Sequence, residues 1–214
     1  TRSRCHRGGS YSSTPAPSTD PTHRPLMLVF VDTNVWYPVV LDDLVLRSIE
    51  IGLFDLAWTD ESLAEVERVL VERKGLTAAN AGVFGAQVRA TAPAGRIEPA
   101  AYQYLIAAMT GPDAGDHVHA AAARGGRVDV LLTSNVADFP AADVGPACRV
   151  LHPGDLFGDF GGAYPIELGR VIAEMAAHRR RPPMTPDDIL DRLDALGLHA
   201  VVSALRPSGP DEAD

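Results

Sequence analysis

The chain has 214 residues, of which 46% are hydrophobic and 22% are charged, a composition typical of a globular protein with one well-filled core. Its net charge of -9 argues against a protein that coats nucleic acid through bulk electrostatics, although it does not exclude an enzyme that acts on nucleic acid. The sequence has no run of about 20 apolar residues, and its two cysteines, Cys5 and Cys148, make no disulfide framework, so we expect a soluble, cytoplasmic protein without membrane contact.

The two ends of the sequence lack hydrophobic periodicity. Residues 1–25 are rich in Ser, Thr, Pro, Arg and Gly and are predicted to be a disordered N-terminal extension, without the apolar segment of a secretory signal. Met27 is a candidate start residue, because the regular pattern begins there. Residues 207–214 are predicted to be a disordered tail.

The first half of the remaining sequence alternates between strand and helix patterns. The run "LMLVFV", residues 26–31, predicts a strand that is covered on both faces. A helical pattern follows Pro38 and stops at Gly52, and "FDLAW", residues 54–58, predicts a second strand. Thr59 is predicted to cap the next helix, which has acidic residues in its first turn.

The alternation continues toward residue 153. One helix is predicted to start at Thr77, and an alanine-rich helix is predicted from about Asp116 to Arg124. The segments "VDVLLTS", residues 128–134, and "RVLH", residues 149–152, predict two further strands. Strands that alternate with helices indicate a parallel sheet with helices on both faces, and ligands of such sheets bind outside the carboxyl ends of the strands.

The pattern beyond Gly154 predicts helices without strands. A helix is predicted over residues 164–181, a second one is capped by Thr185 and stopped by Gly197, and residues 199–205 predict a third. We expect an all-helical extension of the first domain, because this segment is too short to bury much core alone.

Acidic residues stand where the predicted sheet would bind a ligand. Each has a local explanation as well, since Asp32, Asp116 and Asp138 could be turn or cap residues and Glu65 could be a solvated helix residue. Their recurrence around the strand ends favours a shared site. The candidate residues at or near these ends are Asp32, Glu65, Asp113, Asp116, Asn135 and Asp138.

Clustered carboxylates repel one another, and a divalent cation offsets that repulsion. Mg²⁺ prefers oxygen ligands, Mn²⁺ can substitute for it, and two such ions can activate a water and stabilise the leaving oxygen of a phosphodiester. The sequence contains no GxSxG, P-loop, GxGxxG or HExxH motif that would indicate another chemistry. His117 and His119 are expected to be surface or partly buried residues rather than metal ligands.

Four stretches together resemble the PIN domain: "VFVDTNVWYP", "TDESLAEVERVL", "DAGDHVHAAAARGG" and "VDVLLTSNVADFP". The resemblance spans roughly Met27 to Pro153, and the helical region after Gly154 resembles the C-terminal extension of one bacterial branch of that family. It implies a three-layer α/β/α PIN-like fold with a central parallel sheet plus a C-terminal helical extension. The expected boundaries are 26–153 for the nuclease domain and 154–206 for the extension.

The resemblance implies a Mg²⁺- or Mn²⁺-dependent endoribonuclease, the toxin of a VapBC-type toxin–antitoxin pair. It implies RNA as the substrate, a cognate antitoxin as a partner, and a homodimer. Asp32, Glu65 and Asp116 match the catalytic metal ligands of the family. The residues that match supporting positions, or lie close to them, are Thr33, Asn34, Asp113, Thr133, Asn135 and Asp138.

The sequence departs from the family pattern at Asn135, where many PIN domains carry an acid, and Asp138 is a possible substitute. Asn135 therefore motivates an alternative, a catalytically weak or inactive PIN-fold module for RNA binding or interaction. A metal-dependent phosphatase or single-strand DNA nuclease and a purely structural subunit are further alternatives. Arg68 and Arg124 are candidate contacts to the substrate phosphates, and the "HRRR" segment 178–181 is a weaker one.

Overall fold

A computed structural model describes residues 27–206, where strands and helices alternate as the sequence predicts. The predicted disordered segments 1–25 and 207–214, together with Cys5 and Leu26, lie outside the described residues. Among the helices of residues 27–206, none combines the length and the apolar character that a membrane span requires.

Four short parallel strands form the central sheet, in the order β2-β1-β3-β4. The two central strands are β1 and β3. They pair with Val31 opposite Leu132, so their carboxyl ends lie side by side. All four strands were predicted. They are β1 (Leu28–Val31), β2 (Asp55–Ala57), β3 (Val130–Leu132) and β4 (Arg149–Leu151).

The two faces of the sheet belong to two hydrophobic cores. Val29 and Val31 of β1 point into the larger core, whereas Phe30 between them points into the smaller one. This alternation follows from the period of two of a strand, and both faces are buried because helices cover both. The predicted three-layer α/β/α fold is therefore confirmed.

Helices of unequal number cover the two faces. The smaller core is closed by α5 (Pro99–Tyr102), α6 (His117–Gly125) and α7 (Ala141–Val144). Short 3₁₀ turns at Pro93–Gly95, Gln103–Ala108 and Val136–Asp138 connect elements near this side. The larger core is bounded first by α1 (Thr33–Trp36), α2 (Val39–Glu50), α3 (Asp60–Lys74) and α4 (Ala78–Thr91).

Several helix starts confirm the predicted caps. The Thr59 side chain accepts a hydrogen bond from the Ser62 backbone at 3.0 Å, and the Ser62 hydroxyl accepts one from the Thr59 backbone at 3.1 Å. Thr77 caps α4 through the backbone N–H of Asn80. Helix α1 was not predicted, because its four residues are too few to show a period of 3.6.

The C-terminal helices share the larger core with the sheet. They are α8 (Pro153–Ala163), α9 (Pro165–His178), α10 (Pro186–Asp194) and α11 (His199–Leu205). Phe160 of α8 stacks on Phe54, which precedes β2, with ring centroids 5.9 Å apart. Helix α10 ends three residues before the predicted stop at Gly197, and the turn between them closes on that glycine at φ 87°.

Two adjacent carboxylates on α2 have opposite environments. Asp43 accepts a hydrogen bond from Arg47 at 2.7 Å and contacts Arg179 at 3.2 Å. Asp42 Oδ1 is buried and has no hydrogen-bond partner among residues 27–206. Burial raises the pKa of Asp42 to about 7, against the attraction of Lys74.

We expect Asp42→Asn to stabilise the protein in mildly alkaline solution. The pKa of this carboxyl is higher in the folded chain than in the unfolded chain, so the folded protein loses stability as the pH rises from about 4 to about 7. Asn carries no charge, and the free energy of unfolding should rise by about 1–2 kcal/mol at pH 8 with little change near pH 4. Urea unfolding at the two pH values measures the difference.

Asp43→Asn is the matched control, since it makes the same chemical change one residue away. It removes the contacts to Arg47 and Arg179 and should leave stability unchanged or lower it by about 1 kcal/mol. Equal responses of the two variants at pH 8 would contradict the prediction.

Candidate active site

Asp32 lies at the point where β1 ends, next to the end of β3. Its backbone N–H donates to the carbonyl of Leu132 at 2.9 Å, and its side chain is 97% buried, with 3% of the residue exposed. Asp32 Oδ1 accepts a hydrogen bond from the Thr33 backbone at 2.7 Å and so caps α1. Asp32 therefore both caps α1 and lies at the carboxyl end of β1.

The second oxygen of Asp32 is held by side chains from both central strand ends. Asp32 Oδ2 accepts from Asn34 Nδ2 at 2.6 Å and from Thr133 Oγ1 at 2.7 Å. Asn34 Oδ1 accepts from the Ser134 backbone at 2.9 Å, and Thr133 Oγ1 accepts from the Asn135 backbone at 3.0 Å. These bonds fix the plane of the carboxylate and join the segments after β1 and β3.

His119 on α6 links Asp32 to Glu65 of α3. Its Nδ1 lies 2.9 Å from Asp32 Oδ1, and its Nε2 lies 3.2 Å from Glu65 Oε2, at an angle too bent for a good hydrogen bond. Burial alone would lower the pKa of His119, but the contacts with both carboxylates outweigh it and raise the pKa to about 9. The contact with His119 lowers the pKa of Glu65. A buried imidazolium between two carboxylates is the electrostatic centre of the site.

The prediction that His119 is at the surface or only partly buried was wrong. The residue is 1% exposed, and its burial follows from the side of α6 that faces the sheet, where Phe30 lies 5.7 Å from the imidazole ring. Sequence alone shows that His117 and His119 face different directions on a helix but not which of them faces the core.

Asp116 directly precedes α6, and its carboxylate makes no hydrogen bond within residues 27–206. Burial and the nearby charge of Asp32 raise the pKa of Asp116 to about 6, and Asp113 and Asp138 add to the effect. The region around this carboxylate therefore has an excess of negative charge, which a cation would offset.

An open cleft of about 310 Å³ collects most of the predicted site residues. Thr133 is buried behind Asp32, and Asp138 lies in the 3₁₀ turn after Asn135 without lining the cleft. Asn135 itself does line it. The predicted residues on the cleft wall are Asp32, Thr33, Asn34, Glu65, Asp113, Asp116 and Asn135.

Asp143, which the sequence analysis did not single out, anchors the loop before Asp113 and Asp116. Its buried carboxylate accepts from the backbone N–H of Thr110 at 2.7 Å and of Gly111 at 2.9 Å. A Cβ on Gly111 would lie 2.5 Å from the carbonyl oxygen of Asp138, so this position requires glycine. The anchor sets where the acidic loop starts.

Neither of the arginines predicted as substrate contacts, Arg68 and Arg124, lines the cleft, although Arg68 Nη2 lies 4.0 Å from Glu65 Oε1 on its wall. Arg124 lies in the last turn of α6, away from Asp116, and donates to the carbonyl of Ala142 at 3.2 Å. Arg68 pairs with Glu72 at 2.7 Å and does not line the cleft. Arg73, one turn beyond Val69 on α3, lines it instead.

The donor set fits a hard divalent cation. Asp32, Asp116 and His119 each offer one ligand atom, and these three atoms lie within 4.8 Å of one another. Carboxylate oxygens suit Mg²⁺ and Mn²⁺, whereas imidazole suits Zn²⁺, Fe²⁺ and Ni²⁺, and His119 would have to lose its proton before it could coordinate an ion. The residues can therefore hold a metal ion.

A parallel sheet between two helical layers, with a carboxylate cluster outside its central strand ends, defines an α/β protein with a candidate metal centre. The chain belongs to the PIN domain family, whose family model matches residues 28–137. A second model, the VapC50 C-terminal domain, matches residues 162–207.

A curated relative matches part of the chain. The chain is 38% identical over 93 residues to the protein named "Putative ribonuclease VapC50" from Mycobacterium tuberculosis (strain ATCC 25618 / H37Rv). The match covers 43% of this chain and 54% of the relative, so the chain spans about half the length of that protein. No solved structure matches the chain.

We expect His119→Leu to destabilise the metal-free protein by about 2–4 kcal/mol, because Asp32 and Glu65 would lose the cation between them. Urea unfolding in EDTA measures this loss. The matched control is His117→Leu on the same helix, which removes one contact to the Gly111 carbonyl and should reduce stability by about 1 kcal/mol. Equal losses would show that His119 contributes no more than an ordinary polar contact.

Proposed function

We propose that this protein is a divalent-metal-dependent endoribonuclease, the toxin of a VapBC-type toxin–antitoxin pair. The observation that carries the proposal is the juxtaposition of Asp32, Asp116 and His119, of which the two carboxylates line an open cleft, in a chain that belongs to the PIN domain family. The similarity to the protein named "Putative ribonuclease VapC50" supports the same activity.

Asp32 and Asp116 would hold Mg²⁺, with Mn²⁺ as a substitute, and Glu65 and Asp113 would complete the site directly or through water. When bound, such an ion supplies Lewis acidity for the attack of water on a phosphodiester. The two central strand ends supply the rigidity of the site, since Thr133 and Asn34 fix the carboxylate of Asp32 before any ligand arrives. Asn135 is placed on the cleft wall to donate a hydrogen bond to a phosphate oxygen.

In this proposal His119 acts through its positive charge. As an imidazolium it balances Asp32 and Glu65 in the metal-free protein and keeps the carboxylates from repelling one another. Asp143 acts at a distance from the chemistry by fixing the loop that presents Asp113 and Asp116.

The proposal includes a cognate antitoxin, a homodimer of the chain itself, and the cytoplasm as the compartment. A cognate antitoxin would close the acidic cleft with a basic side chain, and a homodimer would use exposed apolar residues. Val71 at 36%, Leu76 at 37% and Val83 at 63% exposure, on and around the α3–α4 hairpin, support a protein-binding surface there. Because RNA is the proposed substrate, we propose the cytoplasm as the compartment.

Asn135 favours one alternative, a PIN-fold module that binds RNA without cutting it. An amide stands on the cleft wall where the family resemblance leads to an acid, and Asp138 does not line the cleft in its place. Such a module would have a weaker metal site and no metal-stimulated cleavage.

Asp32→Asn should lower metal-dependent RNA cleavage by more than about 100-fold, because it removes a ligand charge at the floor of the cleft. The assay follows a mixed RNA pool with purified protein and Mg²⁺, Mn²⁺ or EDTA. Asp55→Asn is the matched control: Asp55 is an exposed aspartate at the amino end of β2, at the opposite edge of the sheet, and its loss should leave the rate unchanged. Cleavage that persists in Asp32→Asn would refute the assignment of the site.

Thr133→Val should weaken Mn²⁺ binding by about 10–100-fold, because the carboxylate of Asp32 would lose the donor that fixes its Oδ2. The melting temperature measured against Mn²⁺ concentration gives the apparent affinity without any need for cleavage. Ser134→Ala, at the exposed next residue, is the control and should bind Mn²⁺ like the wild type. An unchanged affinity in Thr133→Val would show that this hydroxyl does not organise the metal ligands.

A further inference from the structure

The wall of the cleft has two chemically different ends. Glu65, Val69 and Arg73 recur at four-residue spacing on α3 and all line the cleft, so they form one strip along the helix. The strip runs about 12 Å, from an acid beside His119 to an arginine. Arg73 makes no ion pair with any residue in the described range 27–206, although the chain has many carboxylates.

Tyr37 lies at the arginine end of this strip. Its side chain lines the cleft and is 39% exposed, which is unusual for an aromatic residue next to a core. Its neighbour Trp36 is 3% exposed and packs edge-on against Phe84 with ring centroids 5.1 Å apart. The two aromatic residues therefore face opposite ways, one into the core and the other into the cleft.

A cation lies over one face of the Tyr37 ring. Lys74 Nζ lies over the ring, 5.2 Å from its centroid, and Lys74 is the one lysine in the 214-residue sequence. The backbone of Tyr37 is also restricted, because it ends α1 and precedes Pro38, the N-cap of α2. The restricted backbone and the contact with Lys74 both limit the positions that the Tyr37 ring can take, so the ring is preorganised for binding.

We propose that Tyr37 is a stacking platform for an unpaired RNA base, with Arg73 as the contact to a phosphate of the same strand. The inference rests on the proposed function and deepens it, because it names the two residues that would bind the RNA strand beside the metal centre. An aromatic face beside an unpaired cation is the combination that binds single strands without base specificity. A base inside a duplex has both faces covered and cannot stack on Tyr37.

The geometry also determines the direction in which an RNA strand would run along the cleft. A phosphate at the acidic end would lie at the candidate metal centre, and the adjacent nucleotide would extend along α3 toward Tyr37 and Arg73. The basic end offsets the repulsion that a chain of net charge -9 exerts on RNA.

The test is binding of a fluorescein-labelled oligouridylate, followed by fluorescence anisotropy with Ca²⁺ in place of Mg²⁺. Tyr37→Leu should weaken binding by about 5- to 100-fold, the range for loss of one base–aromatic stack. Tyr37→Phe keeps the ring and should bind within about twofold of the wild type. Arg73→Gln should reduce the slope of affinity against salt by about one counterion.

Tyr104→Leu is the matched control. Tyr104 is 74% exposed, lies in the 3₁₀ turn Gln103–Ala108 and does not line the cleft, so its loss should leave binding unchanged. Tyr37→Trp guards against a folding defect in Tyr37→Leu, because a larger ring should bind at least as tightly as tyrosine. The same oligouridylate annealed to its complement should bind more weakly than the single strand.

The platform would be overturned by an unchanged affinity in Tyr37→Leu or by a loss of affinity in Tyr37→Trp. It would also be overturned if the duplex bound tightly or if the wild type did not bind at all. Cleavage is measured separately with Mg²⁺ or Mn²⁺. A protein that cuts RNA with or without the Tyr37 ring refutes the platform and keeps the nuclease, whereas one that binds through Tyr37 and never cuts refutes the nuclease and keeps the platform.

Discussion

A carboxylate as buried as that of Asp32 must have its charge balanced inside the protein, and the surrounding structure is built around that requirement. The donors come from the segment after β1, the segment after β3 and the first turn of α6. Through His119 the balance extends to Glu65 on α3. One buried charge thus ties together four elements that are far apart in the sequence, and the cleft forms where they meet.

The same requirement explains why the site is open on one side and rigid on the other. Asp32 is held by the donors Asn34 and Thr133 and by His119, whereas Asp116 has no hydrogen-bond partner among the described residues and carries a raised pKa because of burial and the nearby acids. A site with one satisfied and one unsatisfied carboxylate is ready for a cation without first rearranging. The loop that carries Asp116 owes its position to Asp143 and to the close approach that Gly111 allows.

The sequence predicted the features that have a local cause. The four strands show continuous apolar runs, Thr59 and Thr77 show cap chemistry, and the place of Asp32 follows from the end of β1. Features that depend on distant packing were missed. Helix α8 is rich in glycine and forms because its apolar face packs on the core, the burial of His119 depends on which side of α6 meets the sheet, and Asp143 acts on residues about thirty positions away. Arg124 lies at the opposite end of α6 from Asp116, and the sequence pattern does not show the contact of its side chain with the carbonyl of Ala142.

The pairing of β1 with β3 joins residues that are widely separated, as the bond between Asp32 and Thr133 spans 101 positions. Closing so long a loop carries an entropic cost that contacts between neighbouring residues do not have. During translation, the whole segment through Thr133 must leave the ribosome before the Thr133 hydroxyl can donate to the carboxylate of Asp32. The centre of a nascent chain therefore stays unassembled until that segment has left the ribosome. For a proposed toxin, that delay gives a partner made in the same cell time to be present when the centre first takes shape.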